Sequence, residues 1–321
     1  MVDIKGDTMD KIKEVSDKIR ENISKVIIGK EEVIDYILVA IYSGGHILIE
    51  DNPGTGKTML AKALAKSIDG VCKRVQFTPD LMPADVTGLK VYSQKNEEFT
   101  LIKGPVFTNI LLADEINRAT PRTQSSLLEA MEEKQVTIEG ETISLEESFF
   151  VIATENPIET TGTYPLPEAQ LDRFLMKISM GKTSKEEELR IIESYIKDFP
   201  LVDIEPVTTI QDIIHIRECV KDIFVHQCIR EYIVDIVVAT RNNSKLNFGV
   251  STRGTLALLR SAQAYAAIMG RQYVEPDDVK KLAPYVLEHR VSGFGFSDMH
   301  KQGIIEDIVS GINVPTENWE R

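Results

Sequence analysis

The sequence predicts an α/β fold with a parallel five-stranded sheet, followed by a region that is entirely helical. Five short apolar runs alternate with helical patterns, which is typical of strands that pair in parallel through helical crossovers. One run is followed by a glycine-rich turn, and another ends in two acidic residues. After Lys185 the pattern is helical only. We therefore expect two domains, residues 1–199 and residues 200–321, with a linker at about residues 200–206.

Composition limits the class of protein. The chain has 321 residues, of which 42% are hydrophobic, and a formal net charge of −13. Such a charge makes a nucleic-acid partner unlikely, because duplex binding depends on cationic contacts with phosphates. The three cysteines lack CxxC spacing, so they predict neither a disulfide framework nor a zinc site, as in a cytoplasmic protein. The longest apolar run, residues 36–42, is too short for a membrane span.

The first apolar run that carries chemistry is residues 47–49, which is followed by the letters EDNPGTGKT. Gly54 and Gly56 would let backbone amides approach a phosphate, and the start of the next helix adds a positive dipole end. Lys57 is expected to reach the β- and γ-phosphates, and the Thr58 hydroxyl to hold Mg²⁺. The strict pattern GxxxxGK(S/T) fails at its first position, which is Asp51. The other expected nucleotide contacts in this segment are Asn52, Pro53, Thr55 and Met59.

Two further strands are predicted to bring polar side chains to the same place. The run at residues 110–113 ends in Asp114 and Glu115, at the carboxyl edge of the sheet and beside the strand that precedes the glycine-rich turn. There Asp114 would bind Mg²⁺ through water and Glu115 would polarise the attacking water. Asn156 follows the run at residues 149–153 and would lie near the γ-phosphate if that strand separates the other two. An ordinary Asn-Pro turn is the alternative explanation.

Several other elements are predicted less directly. Val26 and Ile28 precede the helix that leads to the first strand, so they are candidates either for contact with a base or for core packing. Prolines at 79 and 83 argue against a regular helix there, and strands are expected at residues 86–91 and 98–102 as a hairpin. A second hairpin is expected at residues 135–145. Beyond Lys185 the predicted helices are residues 186–197, 210–220, 229–242, 252–269 and 277–286.

With these pieces in order, the chain resembles an AAA+ ATPase, and within that class a MoxR-family protein. The segments LLADEINRA and TYPLPEAQLDRF are very specific to that family, and the match extends over essentially the whole chain. The resemblance implies a P-loop NTPase fold of three αβα layers followed by an α-helical lid domain. It also makes Asp51 less unusual, because MoxR-type P-loops often lack the first glycine.

The resemblance also implies roles for individual residues. It places Walker A at Gly54, Gly56, Lys57 and Thr58, and Walker B at Asp114 and Glu115. Asn156 corresponds to sensor 1, Arg173 to an arginine finger that acts on a neighbouring subunit, and Arg253 to sensor 2, which is expected to act on the nucleotide of its own subunit. A solvated arginine in the first turn of a helix is the alternative for Arg253, and Arg118 and Arg122 are rivals for the finger. Residues 78–105 resemble the helix-2 insert, and residues 135–146 the pre-sensor-1 hairpin.

The function that the resemblance implies is Mg²⁺-dependent ATP hydrolysis by a homo-oligomer, a hexameric ring, in the cytoplasm. Its work would be chaperone-like maturation or assembly of partner complexes, including metal insertion, with a von Willebrand factor A domain protein as a partner. A magnesium-chelatase-like ATPase subunit and a helicase-like motor are alternatives. The motor is disfavoured by the net charge and by acidic residues around the second hairpin, namely Glu139, Glu141, Glu146 and Glu147. A scaffold that binds ATP without hydrolysis is disfavoured because Glu115, Asn156, Arg173 and Arg253 are all present.

Overall fold

The computed structural model describes residues 4–95, 97–157, 162–197, 201, 204–293 and 298–315. The strands are β1 (Ile47–Glu50), β2 (Cys72–Gln76), β3 (Gly88–Ser93), β4 (Glu98–Lys103), β5 (Ile110–Asp114), β6 (Gln135–Ile138), β7 (Glu141–Ser144), β8 (Phe150–Glu155), β9 (Met176–Ile178), β10 (Leu246–Phe248) and β11 (Ser292–Gly293). The helices are α1 (Ile4–Ser24), α2 (Glu31–Tyr42), α3 (Lys57–Ser67), α4 (Pro83–Thr87), α5 (Pro121–Glu133), α6 (Glu168–Leu171), α7 (Lys185–Lys197), α8 (Ile210–Val220), α9 (Gln227–Arg241), α10 (Thr252–Ile268), α11 (Pro276–Leu287) and α12 (Asp298–Gly311).

The central sheet has five strands in the order β2-β5-β8-β1-β9, and all neighbours pair in parallel. This confirms the predicted five-stranded parallel sheet. Strand β8 lies between β5 and β1, so the expectation that the strand of Asp114 lies beside the P-loop strand was wrong. The long connection through α5 and the β6–β7 hairpin lets the chain return and insert β8 between them. The condition set for Asn156 is therefore met.

Both faces of the sheet are covered, as in a three-layer fold. In β1 the side chains alternate, so that Ile47 and Ile49 join one buried cluster and Leu48 joins the other. The first cluster includes residues of α1, α2 and α3 and continues into the C-terminal helices, whereas the second includes residues of α5. A parallel strand with both faces buried needs a continuous apolar run, which β1, β5 and β8 have, whereas the edge strand β2 carries the polar residues Lys73, Arg74 and Gln76.

The C-terminal region is helical, as predicted, apart from a short antiparallel pairing of β10 with β11. Helix α12 was not predicted, although its buried residues Ile304, Ile305, Ile308 and Val309 have helical spacing. The region packs on the sheet domain through α2, where the rings of Tyr36 and Tyr285 lie 4.4 Å apart. Three of the seven residues of the predicted linker, 200, 202 and 203, lie outside the described residues, and the domain boundary stays a prediction. In the described part of the chain, no helix has both the length and the apolar character that a membrane crossing requires.

The segment before β5 departs from the sequence prediction at its start. A short helix, α4, occupies residues that were expected to begin a strand, and β3 starts only at Gly88. Pro83 stands at the first position of this helix, where its missing N–H is not needed, and the Asp85 carboxylate accepts a hydrogen bond from the amide of Met82 at 2.9 Å. The predicted hairpins are present as β3–β4 and β6–β7.

His46 ties the start of β1 to two neighbouring elements. Its Nδ1 accepts a hydrogen bond from the amide of Val151 at 3.0 Å. Nε2 therefore carries the proton of the neutral ring and donates to the carbonyl of Met131 at 3.1 Å. The residue is 4% exposed, and this burial lowers its pKa to about 4.

The His46 pKa predicts acid sensitivity. The pKa of His46 is lower in the folded chain than the ordinary value of about 6.5, because the fold favours the neutral ring. The contribution of the neutral ring to the free energy of unfolding is therefore complete above pH 6.5 and is lost as the pH falls towards 4. Between pH 7 and 4.5 we expect the free energy of unfolding to fall by about 2–3 kcal/mol more in the wild-type chain than in His46→Gln. Urea unfolding of both proteins across this range is the measurement, and parallel curves would contradict the prediction.

Candidate active site

A cleft of about 370 Å³ opens at the carboxyl edge of the sheet. It lies where β1, β5 and β8 end and where α3 begins. The residues that line it are Pro53, Gly54, Gly56, Lys57, Thr58, Met59, Arg74, Gln76, Asp114, Glu115 and Asn156. The structure thus brings together nine of the residues that were predicted from three separate segments of the sequence.

The glycine-rich turn has the backbone conformation that its sequence requires. Gly54 and Gly56 have φ values of +86° and +89°, which a residue with a side chain rarely adopts. A Cβ at Gly54 would meet no atom within 4 Å, so the surface over the turn is open to a ligand. The turn delivers Lys57 and Thr58 to the first positions of α3, where backbone N–H groups lack helical partners and the dipole is positive.

Lys57 is held towards the cleft by the backbone of the turn itself. Its Nζ donates to the carbonyl of Asp51 at 2.8 Å. Burial lowers the pKa of Lys57, while the carboxylates of Asp51, Asp114 and Glu115 act in the opposite direction. A partly desolvated ammonium group beside open space interacts strongly with an anion that enters.

Asp51 has its own structural role, which explains why glycine is not needed there. Its carboxylate accepts hydrogen bonds from the Ser179 hydroxyl at 3.1 Å and from the amide of Met180. Asp51 is not among the described residues with positive φ, so no left-handed backbone requires glycine at this position. Asp51, which replaces the first glycine of the strict P-loop pattern, therefore links the glycine-rich turn to the end of β9 and does not alter the backbone of Gly54 and Gly56.

Asp114 points into the cleft through a network of polar contacts. Its Oδ1 accepts from the Thr154 hydroxyl at 2.6 Å, and its Oδ2 accepts from Arg74 Nη2 at 2.6 Å. Thr154 also accepts from the amide of Glu115 at 2.9 Å, so β8 orients both acidic residues. The Arg74 side chain is 49% exposed and that of Asp114 is 14% exposed, so solvent reaches this ion pair mainly from the side of Arg74.

Glu115 adopts a left-handed backbone conformation, with φ of +55°, immediately after β5. Its Oε2 accepts from Gln76 Nε2 at 2.7 Å and pairs with Arg118 Nε at 2.9 Å. Non-glycine residues in this conformation are uncommon and cluster at functional sites. The carboxylate is thus fixed at the cleft by two polar side chains.

These residues fit a magnesium nucleotide. The cleft has an open anion cradle, a buried lysine, a hydroxyl and a carboxylate. Among the described residues, no group of three or more His, Cys, Asp or Glu side chains is arranged so that it could hold a metal ion. A resident metal of the all-protein type is therefore not indicated there, whereas Mg²⁺ typically uses one or two protein groups together with waters and substrate phosphates.

The predicted base contacts and two residues of the turn do not line this cleft. Val26 and Ile28 are 6% and 8% exposed, respectively. Between them, Ile27 has its Cδ1 3.6 Å from where a Cβ on Gly56 would stand, so Ile27 is the residue of this loop that approaches the P-loop. Asn52 lines a neighbouring cavity, and the hydroxyl of Thr55 donates to the carbonyl of Asn52 at 3.4 Å.

Arg173 and Arg253 lie together, away from the cleft. Both pair with Glu132 in the last turn of α5, Arg173 through its Nε at 3.0 Å. They line a second cavity of about 480 Å³. The amide of Leu175 donates to the carbonyl of His46, just before β1, so this cavity lies at the amino edge of the sheet. The cleft lies at the other end of β1, about 13 Å away along the strand at about 3.3 Å per residue.

The rival arginines occupy a different position. Arg118 follows β5 at the carboxyl edge and pairs with Glu115 of its own subunit. Arg122 is exposed in the first turn of α5. Neither Arg118 nor Arg122 lies at the amino edge of the sheet, where Arg173 and Arg253 are.

Sequence reasoning missed Arg74, Gln76, Ile27 and Glu132. Arg74 and Gln76 lie two residues apart on β2, and Gln76 is in register with Asp114. Arg74 and Gln76 are polar residues on one face of β2, close to its end. They would have indicated the edge of the sheet where the cleft lies only if the pairing of β2 with β5 had been known. Glu132 could not be distinguished from its exposed neighbours in an acidic helical turn.

Comparisons with known proteins agree with this arrangement. A chain described as an ATPase from Cytophaga hutchinsonii has a solved structure that matches with a TM-score of 0.88 at 37% identity, covering 97% of this chain and 98% of that one. An uncharacterized protein, YeaC, of Bacillus subtilis is 48% identical over 300 residues, 92% of this chain and 94% of the relative. Chaperone MoxR1 of Mycobacterium tuberculosis is 41% identical over 278 residues, 84% of this chain and 73% of the relative.

Two family models match, one for the ATPase family associated with various cellular activities at residues 46–176 and one for the AAA lid domain at residues 238–309. Together with the sheet and the cleft, they define an AAA+ ATPase. A protein named MoxR from Methylorubrum extorquens is also similar, at 26% identity over 324 residues, 92% of each chain. The chain belongs to the MoxR family of AAA+ ATPases.

Proposed function

We propose that this chain hydrolyses ATP with Mg²⁺ at the interfaces of a ring, hexameric by family resemblance, and uses that energy to remodel or mature partner proteins. The observation that carries the proposal is the separation of the two arginines from the cleft. A subunit has the phosphate cradle at one edge of its sheet and Arg173 with Arg253 at the other.

Within one subunit, the cleft would bind the nucleotide and orient water. The amides from Gly54 to Thr58 would bind the phosphates, and Lys57 would reach the β- and γ-phosphates. Thr58 and Asp114 would hold Mg²⁺, which supplies charge neutralisation on the phosphates. Glu115 would polarise the attacking water, and Asn156 would donate to it or to the γ-phosphate. Gln76 and Arg118 would hold Glu115 until substrate arrives.

The two arginines would act on the nucleotide of a neighbouring subunit. In the single chain both arginines pair with Glu132, which is one third exposed and could release them to a phosphate. A contact between two different surfaces of the same chain closes into a ring when the rotation allows. Phosphoryl transfer gains most from positioned positive charge, so completion of the site by assembly would control the rate.

The chaperone-like role is supported by a relative that carries the name chaperone and by the β3–β4 hairpin. Val91, Tyr92, Phe99 and Ile102 of this hairpin are all at least 41% exposed. An exposed apolar hairpin is suited to a protein client rather than to a phosphate backbone. We further propose a von Willebrand factor A domain partner, metal-cofactor maturation among the client reactions and a cytoplasmic location, on family resemblance alone.

The concentration dependence of ATP hydrolysis tests the proposal. We expect the specific rate to rise with protein concentration in step with oligomer mass measured by light scattering, because the isolated chain lacks a complete site. The Lys57→Ala variant is the control and should stay inactive at every concentration. A specific rate that is already maximal in the monomer would contradict the proposal.

A further inference from the structure

A second arginine, Arg290, forms hydrogen bonds with the turn that carries Arg173. The Arg290 side chain is only 2% exposed and lies in a single 3₁₀ turn after α11. Its Nε donates to Asp172 Oδ1 at 2.8 Å, and its Nη2 and Nη1 donate to the carbonyls of Phe174 and Leu175 at 2.6 and 3.1 Å. The guanidinium group thus binds the chain on both sides of Arg173. Burial lowers the pKa of Arg290 to about 10, so the group is a cation at neutral pH.

The same clamp reaches the helix that carries Arg253. Asp172 Oδ2 accepts a hydrogen bond from the Ser251 hydroxyl at 3.3 Å and lies 3.9 Å from Arg253 Nη1. Ser251 is the N-cap of α10, and its hydroxyl accepts from the amide of Gly254. The acid that Arg290 holds is therefore in contact with the start of α10.

The stem of Arg290 also packs directly under the first turn of α10. A Cβ on Gly254 would stand 2.8 Å from Arg290 Cδ and 2.4 Å from Val250 Cγ1, closer than atoms can approach without movement. Gly254 leaves the space that the arginine stem occupies. Two independent contacts, one polar and one steric, thus join Arg290 to the helix of Arg253.

We infer that Arg290 is a positioning residue that fixes Arg173 and Arg253 as one rigid unit for delivery to a neighbouring subunit's nucleotide. The inference rests on the proposed trans function of the two arginines. A misplacement of about 1 Å at a catalytic group can cost about 10²-fold in rate. Arg290 acts through the geometry of this turn and touches no residue of its own cleft in the contacts described above.

Mixed assemblies separate this role from folding. The acceptor subunit carries Arg173→Ala, so it binds nucleotide but lacks the catalytic arginine. The donor subunit carries Lys57→Ala, so it has the catalytic arginine but binds no nucleotide. A mixture of the two subunits should regain ATPase activity. Arg290→Lys, which keeps the charge but loses the planar fork, is then placed in one partner at a time. We expect the regained rate to fall at least about 10-fold when the change is in the donor and to be nearly unchanged when it is in the acceptor.

The matched control is Arg271→Lys. Arg271 also forms a two-pronged pair with a buried acid of the helical region, Asp278, with Nη1 and Nη2 at 2.8 and 2.5 Å. The Arg271→Lys change should leave the regained ATPase rate unchanged in either subunit. If Arg290→Lys does not fold, judged by circular dichroism and by the acceptor's nucleotide affinity in calorimetry, Asp172→Asn replaces it, because this change keeps the size of the side chain and removes the ion pair.

The outcomes are distinct. No recovery from the parent pair, despite mixed assemblies detected by native mass measurement, would overturn the proposed function itself. Recovery that is insensitive to Arg290→Lys in the donor would overturn the positioning role and leave the trans function standing. Equal losses in donor and acceptor would also overturn it, because a general folding role predicts that symmetry.

Discussion

Replacement of Arg173 by alanine is expected to lower the ATPase rate of the assembled protein by at least about 10³-fold, the lower end of what a catalytic arginine supplied from outside contributes. The physical reason is charge. The transferring phosphoryl group spreads negative charge over its oxygens, and a guanidinium that meets them in a site shielded from water stabilises them strongly. Steady-state hydrolysis at a concentration where the oligomer is complete is the measurement.

The location of Arg173 makes the effect separable from binding. Because Arg173 lies at the other edge of the sheet, the nucleotide affinity of the isolated subunit should be unchanged in calorimetry. Arg190→Ala is the control, since Arg190 is an exposed arginine on α7. Full activity of Arg173→Ala, with loss in Arg118→Ala or Arg122→Ala instead, would transfer the role to one of those residues.

The second large effect is expected from Glu115→Gln, which should bind ATP but hydrolyse it at least about 100-fold more slowly. The amide keeps the size of the side chain but cannot take a proton from water. Its contacts with Thr154, Gln76 and Arg118 do not include the glycine-rich turn, so the phosphate cradle should remain intact. Single-turnover hydrolysis and ATP binding by calorimetry, measured on the same preparation, separate the two quantities.

Glu155→Gln provides the matched comparison for Glu115→Gln. Glu155 ends β8 at the same edge of the sheet, in register with Glu50, but it does not line the cleft. Its replacement should leave hydrolysis close to the wild-type rate. If both substitutions slow the reaction equally, a specific role for Glu115 is wrong and the loss reflects the charge of the whole edge.

Those parts of the site that each consist of one short segment could be predicted without a structure. The turn from Gly54 to Thr58, the acidic pair after β5 and Asn156 after β8 each follow an apolar run, and chain geometry alone brings strand ends to one edge. The order of the strands could not be predicted, because parallel pairing joins distant segments and local sequence does not encode it. For this reason Arg74 and Gln76, which reach the cleft only through the pairing of β2 with β5, were missed.

Buried charges were the other class that sequence reasoning could not find. Arg290 lies in the letters LEHRV, where an arginine is usually assigned to the surface, yet it is almost fully enclosed. Its burial is tolerated because an acid and several carbonyls satisfy its donors. Such a set of partners comes from segments more than 100 residues away in the chain and is visible only when the fold is known.

The placement of the cradle and the arginine pair at opposite edges of one sheet has a consequence for mixtures of normal and damaged copies. Each copy would serve as the host of one catalytic centre and as the helper of the next, so a copy with both functions removed would silence two centres while occupying one place. A minority of such copies, produced alongside intact ones, would therefore suppress more activity than their share of the protein. Defects of this type would behave as dominant rather than recessive.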